Sequence, residues 1–265
     1  MATGTLAGKW ALILGASSGF GAATARELAS HGMHIIGVHL DRRATLANVE
    51  QLNADLKRRG VKTLFCNVNA ADPVKRQEVL DQAQPVLGGS SVTIVMHSLA
   101  FGTLKPYVSA DPKEQLTKDQ MEMTLDVMAN SLVYWVQDLL ARKLLAKGSR
   151  VFAMTSSGGT RVWPMYGAVS AAKAALESHV RQLSMELAPH GVTANCIRAG
   201  VTDTPALRKI PGNEAMMEFA KQRNPYHRLT TPEDVAQTIA ILSNSGADWV
   251  TGNVIGADGG EDIVG

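Results

Sequence analysis

Cysteine, aromatic residues and long apolar runs are all scarce in this sequence. Its 265 residues include 5% aromatic residues and two cysteines, Cys66 and Cys196. Cysteines this far apart suit neither a disulfide framework nor a metal site, and each lies in an apolar run, which predicts a buried thiol. Because no run of about eighteen apolar residues occurs, we expect no membrane-spanning helix. The first fifteen residues lack a charged leader before a long apolar stretch, which predicts no signal peptide and a cytoplasmic protein.

An excess of charge of either sign is also lacking. The chain has 26 Lys and Arg residues against 24 Asp and Glu residues, a net charge of +2, and no basic block. We therefore expect neither nucleic acid nor an anionic membrane surface as a partner. Hydrophobic residues make up 45% of the chain, which is typical of a globular protein with a sizeable core.

The sequence does contain a regular alternation of short apolar segments and helical patterns. The predicted strands are 10–14, 34–40, 63–68, 92–96, 150–154, 193–197 and 254–257. The predicted helices are 20–30, 44–59, 72–84, 117–146, 166–189 and 232–243. This alternation predicts one α/β domain, 1–265: a single doubly wound parallel sheet of the Rossmann type with helices on both faces. Residues 200–230 interrupt the alternation, and they are a candidate substrate flap.

A glycine-rich turn joins the first predicted strand to the first predicted helix. The sequence GASSGFG places Gly15, Gly19 and Gly21 in this turn. Glycines there allow backbone N–H groups to approach a pyrophosphate at the positive end of the helix. The turn therefore predicts a dinucleotide site, and the alternative is a glycine-rich connection with no special chemistry.

The end of the second predicted strand bears on which dinucleotide binds. His39 occupies the strand tip, and Leu40, Asp41, Arg42 and Arg43 follow it. An acid at the tip favours the ribose hydroxyls of NADH, whereas an arginine favours the 2′-phosphate of NADPH. Since Asp41 lies two residues past the tip, we expect its side chain to point along the loop. This reasoning predicts NADPH, with NADH as the alternative and a solvated loop without a role as a third interpretation.

Further motifs follow in an order known from one enzyme family. CNVNAAD begins at residue 66 and TSSGG at residue 155, a tyrosine and a lysine follow at 166 and 173, and GVTDT and GADGG come last. Together with the GxxxGxG turn they resemble the short-chain dehydrogenase/reductase superfamily over essentially the whole chain. The resemblance implies that Tyr166, Lys173 and Ser156 are catalytic. It implies cofactor contacts from Gly15, Ser17, Ser18, Gly19, Phe20, Gly21, His39, Leu40, Asp41, Arg42, Asn67, Val68, Ser98, Leu99, Ala100, Thr155, Lys173, Gly200, Thr202 and Thr204.

Three departures from the carbonyl reducers of this superfamily indicate one subgroup. Those enzymes carry tyrosine four residues before the lysine, where this chain has Val169, and a relay asparagine where it has Met128. The stretch that begins at His97, HSLAF, is similar to the HSIGF stretch of enoyl-acyl-carrier-protein reductases, which also place six residues between tyrosine and lysine. The chain therefore resembles an enoyl-acyl-carrier-protein or enoyl-thioester reductase.

The separation of seven positions between Tyr166 and Lys173 suits that reaction. Four residues along a helix advance about 6 Å and seven about 10.5 Å, and both return to nearly the same face. In ketone reduction, hydride and proton go to adjacent atoms. In enoyl reduction, hydride enters the β-carbon while charge collects on a thioester oxygen three bonds away. The acid must then stand further from the nicotinamide, where it can stabilise the developing enolate.

Several residues keep alternative interpretations. Ser156 stands at the catalytic serine position of the superfamily, where enoyl reductases often carry an aromatic residue, and it could simply end a strand. Thr202 and Thr204 could cap a turn instead of contacting the cofactor. We expect His97 to be a packed residue at a strand end without a catalytic role. By resemblance, Lys173 would bond the nicotinamide ribose and lend positive charge to the site.

The leading hypothesis is NAD(P)H-dependent reduction of the 2,3 double bond of an enoyl thioester on acyl carrier protein or coenzyme A, as in fatty acid biosynthesis. The alternatives are a carbonyl reductase or alcohol dehydrogenase of the same superfamily, and a non-catalytic NAD(P) sensor. The resemblance also implies a homotetramer or homodimer. Leu132, Trp135 and Leu139 support this assembly, because they lie on a predicted helix, 117–146, that is too long for one sheet to cover.

Overall fold

Residues 6–264 are described by a computed structural model, in which seven strands form one sheet. The strands are β1 (Trp10–Leu14), β2 (His34–His39), β3 (Thr63–Asn67), β4 (Val92–His97), β5 (Arg150–Ser156), β6 (Thr193–Ala199) and β7 (Val254–Ala257). Their order is β3-β2-β1-β4-β5-β6-β7, and each neighbouring pair is parallel. The order reverses between β1 and β4, which is the point where a doubly wound sheet binds its ligands. The predicted sheet is confirmed.

Helices cover both faces of this sheet. They are α1 (Gly19–Ser30), α2 (Leu46–Arg58), α3 (Pro73–Leu87), α4 (Lys118–Leu125), α5 (Ser131–Ala141), α6 (Gly167–Leu187), α7 (Asn213–Arg223) and α8 (Pro232–Leu242). Apolar residues of α3, α5 and α6 form one core with the sheet, and residues of α1, α2 and α8 form a second core on the opposite face. The strands are continuously apolar because both of their faces are buried.

Three strands extend further than the apolar pattern predicts. β4 continues to His97, β5 to Ser156 and β6 to Ala199. In β5 and β6, Thr155 pairs with Arg198 and Ser156 pairs with Ala199. The last residues of these strands are paired with a neighbouring strand, but several of them are polar, so the apolar pattern in the sequence stops before the strand does. Thr155 and Ser156 therefore lie on the paired end of β5 and not on the loop that follows it.

The predicted helix 117–146 is wrong in two respects. One π-helical turn, Asp126–Asn130, separates α4 from α5, and α5 ends at Ala141. Lys143 adopts a left-handed φ of 56°, and Leu144 N donates to Leu139 O at 2.8 Å, which closes the helix end. Leu144 and Leu145 are buried core residues beyond the helix. An apolar pattern cannot separate such residues from a continuing helical stripe.

The apolar residues that supported an oligomer face inward. Leu132, Trp135 and Leu139 are each 0% exposed in the single chain, and Trp135 Nε1 donates to Ala70 O at 2.8 Å. The expectation that they form part of a subunit interface is therefore wrong. They fill the core between α5 and the sheet, and the oligomeric state stays a prediction that rests on resemblance.

Two expectations from composition concern residues inside the described range. Cys66 and Cys196 are both unpaired and buried, which confirms the buried thiols. Within residues 6–264, no helix has the length and apolar character needed to cross a membrane. The expectation of no signal peptide concerns the first fifteen residues, of which 1–5 lie outside the described residues.

Candidate active site

The glycine-rich turn forms a narrow backbone cradle between β1 and α1. Gly15 has a φ of 89°, and a Cβ at this position would lie 2.3 Å from Ser98 O. A Cβ at Gly21 would lie 2.0 Å from Gly15 O, so α1 starts as close to the turn as two backbones allow. Ser18 caps α1 with extended backbone, and its side chain makes no capping hydrogen bond. The cradle has the shape and the N–H donors that a dinucleotide phosphate needs.

Residues from two other segments surround this cradle. Ser98 N donates to Leu14 O at 2.8 Å, and the partly buried Leu99 approaches Gly15. The methyl group of Thr204 lies 3.4 Å from the Cβ position of Gly19. The predicted residues Ser17, Phe20 and Ala100 lie on the same two loops and on the first turn of α1.

The hydroxyls of the two predicted threonines bond within their own loop. Thr202 Oγ1 donates to Gly200 O at 2.9 Å, and Thr204 Oγ1 accepts from Leu207 N at 3.1 Å. Both threonines are buried, with Thr204 beside the cradle. A Cβ at Gly200 would collide with Thr230 and Glu261. The structure thus shows the turn-capping role, and their cofactor contacts remain a prediction.

Asp41, which follows β2 next to the cradle, has an orientation that the sequence did not predict. His39 Nδ1 and Asp41 Oδ2 lie 2.9 Å apart, so the side chain turns back to the strand tip. Burial opposes ionisation, but hydrogen bonds from Thr45, Ser17 and His39 outweigh it and lower the pKa of Asp41. The carboxylate therefore lies between the glycine-rich turn and the end of β2. The expectation that this side chain points along the loop is wrong.

Asn67 holds this loop in place. Asp41 N donates to Asn67 Oδ1 at 2.9 Å, and Asn67 Nδ2 donates to Asp41 O at 3.0 Å. Val68 N donates to His39 O at 2.8 Å, which extends the contact between the ends of β2 and β3. Leu40 and Arg42 are exposed, and within residues 6–264 the Arg42 side chain makes no hydrogen bond or ion pair. Arg42 is thus available to an incoming anion.

Tyr166 and Ser156 converge on the short turn that follows β5. Tyr166 is the N-cap residue of α6, with a φ of −91°. A Cβ at Gly158 would lie 2.5 Å from Tyr166 Cε1 and 3.2 Å from Ser156 Oγ. Burial raises the pKa of the Tyr166 phenol, although the adjacent Ser156 hydroxyl opposes the rise. The phenol therefore keeps its proton at neutral pH and can donate it.

Ser156 Oγ is a buried atom that forms no regular hydrogen bond among the described residues. A buried hydroxyl without a hydrogen-bond partner destabilises the fold, unless a ligand or a water molecule supplies that hydrogen bond. Because it lies beside the Tyr166 ring, it offers a second polar group to a substrate oxygen.

Val169 lies where carbonyl reducers place their tyrosine, and an apolar cluster surrounds it. Val169 and Met128 are both buried, and they pack in one cluster with Ala172 and Val127. A Cβ at Gly102 would lie 2.8 Å from Val169 Cγ2 and 2.9 Å from Met128 Sδ. The neighbours of Val169 in this cluster are apolar. Tyr166 is therefore the tyrosine that reaches the turn.

Lys173 lies two turns into α6 and is almost fully buried. Its Nζ donates to Met154 O at 2.7 Å. Burial lowers the pKa of Lys173 to about 8, and the Glu177 carboxylate is among the groups that oppose the decrease. Thr155, for which a cofactor contact stays a prediction, donates its hydroxyl to Glu177 Oε1 at 2.6 Å. Glu177 is a site residue that we did not predict, although its position four residues after Lys173 places it on the same helix face.

His97 is buried behind the lysine at the end of β4. Its Nε2 lies 2.9 Å from Ser131 Oγ, and Ser131 Oγ donates to Val127 O at 2.9 Å. Since the serine proton is used there, His97 Nε2 carries the hydrogen and donates to the serine. Burial and the positive charge of Lys173 lower the pKa of His97 to about 3. The geometry agrees with a packed, neutral histidine.

A recess of about 250 Å³ opens beside Tyr166. Tyr107 and Trp163 form its aromatic walls, and Gly167 forms part of its base. Trp163 Nε1 donates to Pro211 O at 3.2 Å, so the segment 200–230 is connected to the loop that carries the tyrosine. Sequence reasoning missed both aromatic walls, because the contacts join segments that are far apart in the chain.

Two acidic residues near the chain end, Glu261 and Asp262, connect the surrounding loops, and we refer to them as the C-terminal brace. Glu261 accepts from Val201 N at 3.0 Å, and burial raises the pKa of its carboxyl. Asp262 pairs with Arg161 at 3.1 Å and with Arg198 at 2.9 Å. The brace therefore joins the loop before Tyr166 to β6 and to the start of segment 200–230.

A phosphate-binding cradle and a lysine–tyrosine pair at the carboxyl edge of a doubly wound sheet define an oxidoreductase of the short-chain dehydrogenase/reductase superfamily. A family model described as "Enoyl-(Acyl carrier protein) reductase" matches residues 15–261. The chain belongs to this family, and the predicted resemblance is confirmed.

Relatives of this chain have several activities. An uncharacterized oxidoreductase of Bacillus subtilis, YjdA, is 31% identical and matches 95% of this chain and 96% of its own length. An NADPH-dependent aldehyde reductase-like chloroplastic protein of Arabidopsis thaliana is 26% identical over 96% of this chain and 94% of its own. The crystal structure of the enoyl-[acyl-carrier-protein] reductase (NADH) of Aquifex aeolicus is similar with a TM-score of 0.85 and 26% identity. That similarity covers 99% of this chain and 100% of the other.

Proposed function

We propose that this protein reduces the 2,3 double bond of an enoyl thioester. The observation that carries the proposal is the position of the proton donor. Tyr166 caps α6 seven residues before Lys173, whereas Val169, four residues before it, lies in an apolar cluster with Met128. A donor set back by one turn suits a substrate whose negative charge develops on the thioester oxygen, away from the carbon that is reduced.

The cofactor in this proposal is NADPH or NADH, which would supply the hydride. The turn at Gly15 and Gly21 would hold its pyrophosphate, because packing that is too close for a Cβ at either position brings the N-terminus of α1 directly against the turn. Lys173 is buried on α6, and its ammonium group bonds to Met154 O near the end of β5. From there it would bond the ribose and hold positive charge beside it. The names of relatives support both forms, since one is NADPH-dependent and the other uses NADH.

The residues of the chain divide the remaining work. Tyr166 keeps its proton at neutral pH because burial raises its pKa, and it would stabilise the enolate oxygen as charge develops there. The recess beside it, with Tyr107 and Trp163 as walls, would exclude water from the acyl group. General-acid assistance of this kind is worth about 10²–10⁴-fold in rate.

A carbonyl reductase is the second candidate, and Ser156 favours it. The Ser156 hydroxyl is buried beside Tyr166 and has no regular partner among the described residues. Two hydroxyl groups that converge on one point suit the oxygen of a ketone or aldehyde. The Arabidopsis relative, by its name, is an aldehyde reductase-like protein.

One assay separates the two candidates. Oxidation of NADH and of NADPH is followed with crotonyl and acetoacetyl thioesters, for the wild type, Tyr166→Phe and the control Tyr134→Phe. Tyr134 lies on α5, where the Arg76 guanidinium is 5.6 Å from the centre of its ring. We expect crotonyl reduction that falls about 10²–10⁴-fold in Tyr166→Phe, with dinucleotide affinity unchanged and the control fully active. Reduction of acetoacetyl but not crotonyl thioester would establish the second candidate.

The same assay measures the cofactor choice. Asp41 and Arg42 oppose each other at the adenosine end, one an anion at the strand tip and the other an exposed cation. We propose that Arg42 binds the 2′-phosphate and gives a preference for NADPH. Arg42→Ala should then reduce kcat/KM with NADPH relative to NADH, and Asp41→Asn should increase that ratio. An unchanged ratio in Arg42→Ala would assign the choice to Asp41.

We also propose a homo-oligomeric cytoplasmic enzyme that takes an acyl group from acyl carrier protein or coenzyme A. These points rest on family resemblance. The segment 200–230, which contains α7 and joins the recess through Pro211, is the proposed substrate flap.

A further inference from the structure

Glu177 has no part in the proposed reaction, yet it is attached to the same strand end as Lys173. Lys173 Nζ donates to Met154 O at 2.7 Å, and Thr155 Oγ1 donates to Glu177 Oε1 at 2.6 Å. Met154 and Thr155 are consecutive residues near the end of β5. Two side chains one turn apart on α6 are therefore anchored to adjacent points of a single strand.

The two side chains also approach the same short turn. A Cβ at Gly159 would lie 3.2 Å from Glu177 Oε1 and 3.6 Å from Lys173 Cβ. The carboxylate and the start of the lysine side chain therefore both border Gly159. Among the described residues the carboxylate and the lysine ammonium group form no direct ion pair. Charges in a buried setting are weakly screened, so the carboxylate favours the charged form of the lysine from a distance.

The other titratable groups that face Lys173 come from three elements and are neutral. Burial raises the pKa of the Cys196 thiol on β6 to about 12. The pKa of His97 on β4 is lowered to about 3, and burial raises the pKa of Tyr166 at the start of α6. Among these described neighbours, Glu177 supplies the carboxylate that can balance the lysine charge.

We propose that Glu177 is a positioning residue that keeps Lys173 protonated and fixed against β5, ready to bind the dinucleotide. The proposal rests on the proposed function for the role of Lys173. It does not depend on which acyl or carbonyl substrate is reduced. A carboxylate in this place solves a physical problem, because burial alone disfavours a charged lysine.

The sign of the pH dependence follows from the lysine. Burial lowers its pKa to about 8, with Glu177 among the groups that oppose the decrease. Lys173 is cationic below this pH and loses its charge as the pH rises through it. Without the Glu177 charge the pKa falls further, so the cation is lost at a lower pH.

Glu177→Gln is the informative substitution, because glutamine keeps the side-chain oxygen that accepts from Thr155 and removes the charge. The dissociation constant of NADH, and separately of NADPH, is measured by nucleotide fluorescence from pH 6 to 10. We expect wild-type affinity to decline as the pH passes about 8. In Glu177→Gln the midpoint of this decline should be lower by roughly one unit, with affinity at pH 6 near the wild-type value.

Two further variants make the result decisive. Glu186→Gln is the matched control, since Glu186 is exposed on the same helix and accepts from Gln182. Its midpoint should equal that of the wild type. Glu177→Asp keeps the charge, so the pH midpoint of the decline in affinity should lie close to that of the wild type. Equal midpoints in Glu177→Gln and wild type, or the same loss in the Gln and Asp variants at every pH, would overturn the proposal.

Failure of the proposed function would look different. If crotonyl thioester is not reduced, the binding midpoints are unaffected and the inference about Glu177 stands. If Lys173→Ala leaves dinucleotide affinity unchanged, the proposed role of Lys173 fails, and the inference about Glu177 fails with it.

Discussion

At the scale of single residues, the site depends on where charge is kept and where it is removed. Lys173 keeps a positive charge in a buried place, while His97 and Cys196 beside it stay neutral because burial opposes their charged forms. Tyr166 stays protonated for the same reason. The result is one cation and one proton donor facing the carboxyl edge of the sheet, which is the arrangement that an enolate requires.

Gly15 should not tolerate a side chain. In Gly15→Ala the new methyl group meets Ser98 O at 2.3 Å and the φ of 89° is strained, so we expect dinucleotide binding to be lost. Gly148→Ala is a matched control, because Gly148 has a φ of 91° and nothing within 4 Å of its Cβ position. Binding is measured by the increase in Tm that saturating NADH or NADPH produces. A Tm increase in Gly15→Ala equal to that of the wild type would contradict the prediction that a side chain at Gly15 prevents dinucleotide binding.

His97 should make the folded chain sensitive to acid. Its pKa is about 3 in the folded chain against an ordinary value of 6.5. As the pH falls from 6.5 towards 3, the unfolded chain takes up a proton that the folded chain does not, so stability falls. His97→Gln keeps an N–H donor for Ser131 and removes this titration. Urea unfolding between pH 7 and pH 4 should therefore show a shallower loss of stability in the variant than in the wild type.

The control for this experiment is His31→Gln. His31 lies at the exposed end of α1 and pairs with Glu27, so its replacement should leave the slope of stability against pH nearly unchanged. Equal slopes in His97→Gln and wild type would show that His97 is not held neutral in the folded chain.

At the scale of secondary-structure elements, loops at one edge of the sheet are connected to each other. The C-terminal brace joins the loop before Tyr166 to β6 through Asp262, and it holds the start of segment 200–230 through Glu261. Trp163 adds a direct bond to Pro211. The tyrosine and the proposed flap are therefore positioned by the same few contacts.

Asp262→Asn should loosen these connected loops. Asp262 is 16% exposed and pairs with Arg161 and Arg198, and hydrogen bonds to charged groups contribute about 1.5–3 kcal/mol. We expect faster proteolysis within 200–230 and a lower kcat, while dinucleotide affinity is retained. Asp248→Asn, which removes the ion pair with Arg150, is the control and should not change kcat. Unchanged proteolysis in Asp262→Asn would argue against a brace.

At the scale of the whole molecule, one sheet supports every part of the site. The cradle follows β1, Asp41 follows β2, His97 ends β4, and Ser156 ends β5. Parallel strands bring these ends to a single edge on both sides of the point where the strand order reverses. The candidate catalytic and binding residues thus come from distant segments, but they share one sheet.

The assembly prediction belongs to this scale. We expect light scattering to give a mass two or four times the chain mass of 28.2 kDa at micromolar concentration. The expectation rests on family resemblance, since Leu132, Trp135 and Leu139 are buried within one chain. A mass near that of a single chain would refute it.

Much of the fold and part of the site could be predicted from local pattern. Apolar runs bounded by glycine give the strands, because both faces of a parallel sheet are buried. The spacing of Tyr166 and Lys173 places both near the start of one helix, since helical periodicity is a local property. The pattern failed at α5, where Leu144 and Leu145 are apolar because they enter the core and not because the helix continues.

The sequence by itself therefore determined the order of the strands, the glycine-rich turn and the position of the tyrosine, all of which depend on neighbours within a few residues. It did not predict α7, which lies in the segment 200–230 that the sequence pattern left without a helix. Tertiary structure alone decided the orientation of Asp41 towards His39, the attachment of Glu177 to Thr155 and the pairing of Asp262 with Arg161. Apart from the loop at Asp41, these contacts join segments far apart in the chain. Their geometry is set by how the elements pack, and burial then decides which groups carry charge.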